Sequence, residues 1–347
     1  MTSQNGDQLL YLGRGDVEAI CAEIDPVALV RDVFCAHGAH DTILPDEAYL
    51  SWRNGRNEAV RSLNMPGYLG GKFEVAGTKI INSNPANTGR GLPRASGLTL
   101  LFDPETARIR CVMEASYISA LRTASVSMLA LHLLAGPGVR SFCVVGTGVV
   151  GTMHLELAVR MCPSVEHAIL FDADAARATA ARDTLQRKTG RSIEVELATN
   201  PEDAVRRADA VVAATTVTNG YIPYSWLKRG SVALNVSLDD FLPEVFFKAD
   251  LLFVDDWNLV RADCQRLLGR LHREGKIVGP GQVSASPKAR SVDGELGDLV
   301  LGRHPGRERA EQIILVNPFG LAIEDVAFAS HVFDIAQRRK LGTYLNV

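Results

Sequence analysis

From Arg140 onward, short apolar runs alternate with stretches of helical spacing, and this alternation restricts the possible folds more than any other property of the chain. RSFCVVG, HAILFD, IEVELA and DAVVAAT read as strands; VVGTMHLELAVRMC, ADAARATAARDTLQRKTG and PEDAVRRA between them read as helices. SVALNVS and DLLFVDD follow as further strands. Each helical crossover has to pack back onto the sheet, so this order predicts parallel strands covered by helices on both faces. The expectation is an α/β fold with a Rossmann-type doubly wound parallel sheet over residues 136–318.

Within this segment, Gly146-Thr147-Gly148-Val149-Val150-Gly151 follows the strand SFCVV and opens a helix. Glycine spacing alone is a weak signal; its place between strand and helix makes it a strong one. The first two glycines permit a tight turn and close backbone approach, and the third lets helix and strand pack together. The helix N-terminus then offers free N–H groups to a pyrophosphate, so all six residues are expected to bind a dinucleotide. The second strand ends at Phe171-Asp172, where an acid accepts hydrogen bonds from the adenosine ribose hydroxyls and repels a 2′-phosphate. No Arg or Lys follows until Arg177, which favours NAD over NADP. Asp174 reads as the cap of the helix beginning near Ala175, leaving the ribose to Asp172. Thr215 and Thr216, just past the fourth strand, stand at the carboxyl edge of the sheet and are further cofactor candidates.

The 347 residues are 46% hydrophobic and 22% charged, enough for two domains with real cores. Lys and Arg number 37 against 40 Asp and Glu, so there is no global cationic field of the kind that binds nucleic acid. No run approaches about 18 uninterrupted apolar residues, and MTSQNGDQLLYLGRGD has neither a basic n-region nor a long apolar stretch, so no membrane is expected and a cytoplasmic location is. Cys21, Cys35, Cys111, Cys143, Cys162 and Cys264 form no CxxC pair and read as reduced thiols. The histidines show neither HExxH nor HxH, and no metal is expected.

Up to about residue 113 the texture differs: a helix from Asp25 is followed by EAYLSW, AVRSLNMP, GTKIINS, SGLTLLFD and ARIRCVM, an α+β pattern. Ser116 to Ala135 then reads as one long helix, ending at a hinge-like Gly136-Pro137-Gly138. Arg61, Lys79 and Arg122 each lie inside a β-like or apolar segment. Each alone could be exposed or salt-bridged; together they suggest a pocket for carboxylates, with Arg supplying bidentate forks and Lys a point charge.

Read in order, AVRSLN, GTKII, LLFDPETARIRCVMEASYISALRTASVSMLA, VVGTGVVG, ALNVSLDD and FGLAIEDVAFA resemble the ornithine cyclodeaminase and μ-crystallin family over nearly the whole chain. Within it, MPGYLGGKFEVAGTKIINSNPANTGRGLPRAS is most similar to the branch of N-(2-amino-2-carboxyethyl)-L-glutamate dehydrogenases, which make 2,3-diaminopropionate for siderophores and antibiotics. The resemblance implies a homodimer and a split arrangement. Residues 1–135 and 319–347, with a helix from about Gly320 to Arg339, would form the substrate-binding and dimerisation domain, and residues 136–318 the NAD domain. It also implies that Arg61, Lys79 and Arg122 bind substrate carboxylates and that Asp240 in NVSLDD is the active-site aspartate. Two glycines of the family pattern are replaced here by Leu238-Asp239, so Asp239 competes for that role and ornithine as substrate is put in doubt.

Oxidising a C–N bond beside a carboxylate requires a free nitrogen lone pair, a fixed carboxylate and an α-hydrogen aimed at the nicotinamide. Asp240 and Lys79 are the catalytic candidates, Asp240 taking protons first from the amine and then from the water that attacks the imine. Arg61, Lys79, Arg94 and Arg122 are the substrate-binding candidates, Arg94 because the expected substrate carries three carboxylates. The rival readings are an ornithine cyclodeaminase, an alanine dehydrogenase or ketimine reductase, and a non-catalytic ligand-binding protein of the μ-crystallin type.

Overall fold

The computed structural model describes residues 8–135, 138–282, 287 and 289–346. Its contacts divide the chain into one unit made of Met1–Arg122 with Leu321–Val347 and a second made of Thr123–Gly320.

In the first unit, β1 (Gln8–Leu12) leads to α1 (Arg14–Cys21) and α2 (Pro26–Gly38). Asp25 starts α2, accepting from the N–H groups of Val27 and Ala28 at 3.1 and 3.0 Å, with proline at the first helical position. Then come β2 (Thr42–Ile43), β3 (Ala48–Arg53), β4 (Ala59–Leu69), β5 (Val75–Ser83), β6 (Ala95–Phe102) and β7 (Ile109–Glu114). The strands expected from EAYLSW, AVRSLNMP, GTKIINS, SGLTLLFD and ARIRCVM are all present.

Helix α3 (Ser116–Leu134) follows as expected, its first N–H groups taken by the Glu114 carboxylate. The division between the units falls inside α3 rather than after residue 135. The reason is local: Ser119 and Arg122 bond to residues of the first unit, whereas Ser127 bonds to His154 and Met128 touches Cys162 in the second. Gly136 and Pro137 of the expected hinge lie outside the described residues.

The second unit contains β8 (Ser141–Val145), α4 (Val149–Met161), β9 (His167–Phe171), α5 (Ala175–Lys188), β10 (Glu194–Leu197), α6 (Pro201–Arg206), β11 (Ala210–Ala213) and β12 (Val232–Asn235). It continues through α7 (Pro243–Lys248), β13 (Leu251–Val254), α8 (Trp257–Ala262), α9 (Leu267–Arg273), β14 (Ile277–Val278), β15 (Arg290–Ser291), β16 (Gly294–Glu295), α10 (Leu296–Val300) and β17 (Ile314–Asn317). Eight strands form one parallel sheet in the order β10-β9-β8-β11-β12-β17-β13-β16. Strand order reverses at β8, and in such sheets ligands bind at the carboxyl ends beside that point. The doubly wound expectation holds. Strand β17, which the alternation of runs did not announce, inserts between β12 and β13.

The first unit ends with α11 (Ala322–Arg339) and β18 (Thr343–Asn346), which pairs with β1 at an edge. Its mostly antiparallel sheet runs β18-β1-β7-β6-β5-β4-β2, with β3 also on β4. Helix α11 packs across β4, β5 and β6. Its return begins at Leu321 rather than 319, because Phe319 and Gly320 are held by the buried carboxylate of Asp255 in the second unit.

Candidate active site

The glycine loop leaves β8 with Gly146 at φ +92°, the left-handed region that favours glycine; a Cβ there would lie 2.7 Å from the Ala214 carbonyl oxygen. At Gly151 a Cβ would meet the Gly146 carbonyl oxygen at 1.9 Å, so helix and loop can pack this tightly only without a side chain. Gly148 differs: a Cβ would meet nothing within 4 Å, and no side chain caps α4. The first-turn N–H groups of Val149, Val150 and Gly151 therefore face a space that any side chain at Gly148 would begin to fill. That is the cradle a pyrophosphate needs, and these residues fit NAD.

Asp172 stands at the end of β9 against this loop. Its Oδ2 accepts from the Thr147 N–H at 2.8 Å and the Thr147 hydroxyl at 3.1 Å, and its Oδ1 from the Asp174 N–H at 3.0 Å. Three of roughly four acceptor positions are used, leaving one for a ribose hydroxyl. Asp174 caps α5 as expected, accepting from the Ala176 N–H.

At the end of β11 the structure redirects one expectation. Thr215 gives its hydroxyl to Asp240 Oδ1 at 2.6 Å, so it serves the aspartate, while Thr216 is exposed. Asp240 itself is fully buried, and its Oδ2 has no hydrogen-bond partner among the described residues. Burial pushes its pKa up to about 6; the Thr215 and Tyr221 hydroxyls pull it back, and the neighbouring Asp239 adds to the rise. Tyr221 is tied to the same residue through its backbone, its N–H donating to the Asp240 carbonyl at 2.8 Å. Nothing in the sequence marked Tyr221. Helix α7 is capped by Leu242 without a side-chain bond, so Asp240 is not a helix cap.

Asp239, the competing candidate, is engaged elsewhere. Asp239 Oδ1 accepts from the Leu267 N–H at 3.0 Å and so fixes the start of α9, with Arg266 at 3.4 Å and Arg270 at 3.6 Å. Leu238, where the family pattern has glycine, carries φ +76°.

In the first unit, Lys79 at the centre of β5 is only 1% exposed and Arg122 on α3 only 6%. Lys79 Nζ lies 2.7 Å from Asp325 Oδ2 and 3.2 Å from Ser119 Oγ. Arg122 reaches Glu324 Oε2 at 2.8 Å and Asp325 Oδ2 at 3.3 Å. Two of the three expected cations thus form a four-charge cluster, balanced by two acids of α11. The signal for these acids was visible: adjacent Glu and Asp inside the otherwise apolar FGLAIEDVAFA are rarely buried without partners. Arg61 and Arg94 are not in the cluster. Arg61 pairs with Ser83 and Met65 with Lys79, so Arg61 projects from the same sheet face as Lys79, but it sits half-buried over the Tyr49 ring at 6.0 Å. Arg94 is exposed ahead of β6.

Among the described residues no group of three His, Cys, Asp or Glu could hold a metal. Buried Cys21 and Cys111 are pushed up to about 12 by desolvation and are inert thiols.

A doubly wound sheet with a glycine cradle, an acid at the ribose position and a buried carboxylate at its carboxyl edge defines an NAD-dependent dehydrogenase. The ornithine cyclodeaminase/mu-crystallin family model matches residues 48–340, and the chain belongs to that family. It is 34% identical to N-((2S)-2-amino-2-carboxyethyl)-L-glutamate dehydrogenase of Staphylococcus aureus, over 98% of this chain and 99% of the relative. Among solved structures it is similar to CmnK, with TM-score 0.89 and 38% identity over 99% of each chain. It is also similar to Δ1-pyrroline-2-carboxylate reductase of Thermococcus litoralis in complex with NADH and L-proline, with TM-score 0.84 and 25% identity over 98% of this chain and 100% of that one. The chain is an NAD-dependent amino-acid dehydrogenase of this family.

Proposed function

We propose that this dehydrogenase cleaves the secondary amine N-(2-amino-2-carboxyethyl)-L-glutamate, with NAD and water, to 2-oxoglutarate, 2,3-diaminopropionate, NADH and a proton, for siderophore or antibiotic biosynthesis. The observation that carries this reading is the buried Asp240, whose unpartnered Oδ2 is free to accept a proton. The relationship to the Staphylococcus aureus enzyme over almost all of both chains supports the choice of substrate.

Bound NAD supplies the hydride acceptor. Asp240 takes the proton of the substrate ammonium, freeing the nitrogen lone pair to form C=N as the α-hydrogen leaves with its electron pair. Once that proton has passed to solvent, Asp240 takes another from the attacking water and returns it to the departing amine as the C–N bond breaks. A carboxyl group poised near 6 can do both at neutral pH. Lys79 and Arg122 hold substrate carboxylate, and Arg61 a second one further along the same sheet face.

The test is absorbance at 340 nm with this amine and NAD, together with mass-spectrometric detection of 2,3-diaminopropionate. Net NADH with both products supports the reading. Ammonia from L-ornithine without net NADH, or NADH from L-alanine alone, replaces it with another family activity; binding without turnover indicates a ligand-binding protein. The active form is proposed to be a homodimer, because β3 is exposed along its whole length and presents Tyr49, Leu50 and Trp52. Sedimentation velocity checks this.

A further inference from the structure

We propose that Asp325 is a positioning residue for anion binding: one of its oxygens accepts a hydrogen bond from Lys79 Nζ and forms an ion pair with Arg122, and so fixes where the lysine stands beside the arginine to meet a substrate carboxylate. The proposal rests on the reading that Lys79 and Arg122 bind that carboxylate.

A lysine stem has four rotatable bonds and could place its ammonium at many points. At 2.7 Å and full burial, the Asp325 carboxylate selects one of them. Both cations lie against the same Oδ2, at 2.7 and 3.3 Å, so one atom on α11 joins them, while Glu324 holds the other side of Arg122 at 2.8 Å. The other oxygen, Oδ1, is buried with no partner among the described residues, which leaves Asp325 no competing attachment. The charged groups acting on Lys79 are Arg122 from α3, Asp325 from α11 and Glu47 from the segment before β3, while Glu324 of α11 pairs with Arg122. Burial first, and Arg122 second, weaken the hold of Lys79 on its proton; Asp325 is the chief opposing influence, ahead of Glu47. Asp325 therefore supports the charge of the lysine as well as its place.

Two variants separate charge from position. Asp325→Asn removes the charge: KM for N-(2-amino-2-carboxyethyl)-L-glutamate should rise about tenfold or more with kcat little changed. The ammonium resonance of Lys79 in 15N-lysine protein, assigned with Lys79→Met, should titrate at lower pH than in the parent. Asp325→Glu keeps the charge but displaces it by one methylene; KM should rise about threefold or more while the titration stays near that of the parent. An unchanged KM and an unchanged titration in Asp325→Asn overturn the proposal, and should that variant not fold, an unchanged KM in Asp325→Glu does so. If Lys79→Met itself leaves KM unaltered, the carboxylate reading fails, and the titration still judges the control of Lys79 by Asp325 without any substrate.

Discussion

Thr215 Oγ1 and Asp240 Oδ1 lie 2.6 Å apart, a bond between the residues that follow two adjacent strands, β11 and β12. It occupies one carboxylate oxygen, and the proposed proton transfer falls to the other. Replacing Asp240 by Asn keeps an acceptor for Thr215 and removes the basic oxygen. Turnover should fall by roughly 10²–10⁴-fold with NAD affinity unchanged, measured by single-turnover NADH formation. Asp239→Asn should instead loosen α9 and lower the melting temperature with a much smaller effect on rate.

The same aspartate gives a stability signature. Its pKa is about 6 folded against 3.8 unfolded, so its contribution is fully present below the unfolded value and is lost as pH rises through the folded one. At pH 8 the buried charge costs on the order of 2–3 kcal/mol. Asp240→Asn should therefore melt higher than the parent at pH 8, and the difference should vanish near pH 4. Melting curves across that range check this, and kcat of the parent should decline below about pH 6.

For the cofactor, the two outer glycines and the middle one should behave oppositely. Gly151→Ala forces a Cβ onto the Gly146 carbonyl and should lower both stability and NADH affinity. Gly148→Ala meets no protein atom and should keep the melting temperature while weakening NADH binding, read from nicotinamide fluorescence.

NADH should bind far better than NADPH, and Asp172→Ser should narrow that gap. Because Asp172 also anchors Thr147, the same variant should weaken NADH itself. Equal affinity of the parent for both nucleotides would remove the ribose assignment.

Lys79→Met should raise KM about 10- to 150-fold, the worth of a charge-assisted bond of roughly 1.5–3 kcal/mol. It also leaves the buried Asp325 with Arg122 as its remaining cation, at 3.3 Å, and should lower stability. Lys79→Met/Asp325→Leu, which removes both charges, should recover much of that stability but not KM. Chemical denaturation of the three proteins checks the order.

The second unit was legible because its signals are local: apolar strand, glycine turn, helix, then an acid at the next strand end. Strand β17 escaped because it follows no helix of regular period, and β1 and β18 because they are short and lie at the chain ends, β18 exposed throughout. In the site, Lys79 and Arg122 stood out as cations in apolar surroundings. Their partners on α11 are more than 200 residues away in sequence, and only the fold brings them together. Tyr221 carried no signal, since a tyrosine near a strand end is ordinary. Thr215 was noticed for its position at the sheet edge, but its attachment to Asp240 depends on register between neighbouring strands.

Leu238 adopts a backbone conformation that costs a side-chain-bearing residue about 1–2 kcal/mol, yet it is 93% shielded from water. Reverting it to glycine would relax the backbone and remove a buried leucine, a loss of about 2–5 kcal/mol that outweighs the relief. Leu238 thus pins the loop that carries Asp240 from the inside: its side chain is the anchor, and the strained backbone is held in place by what that anchor buries.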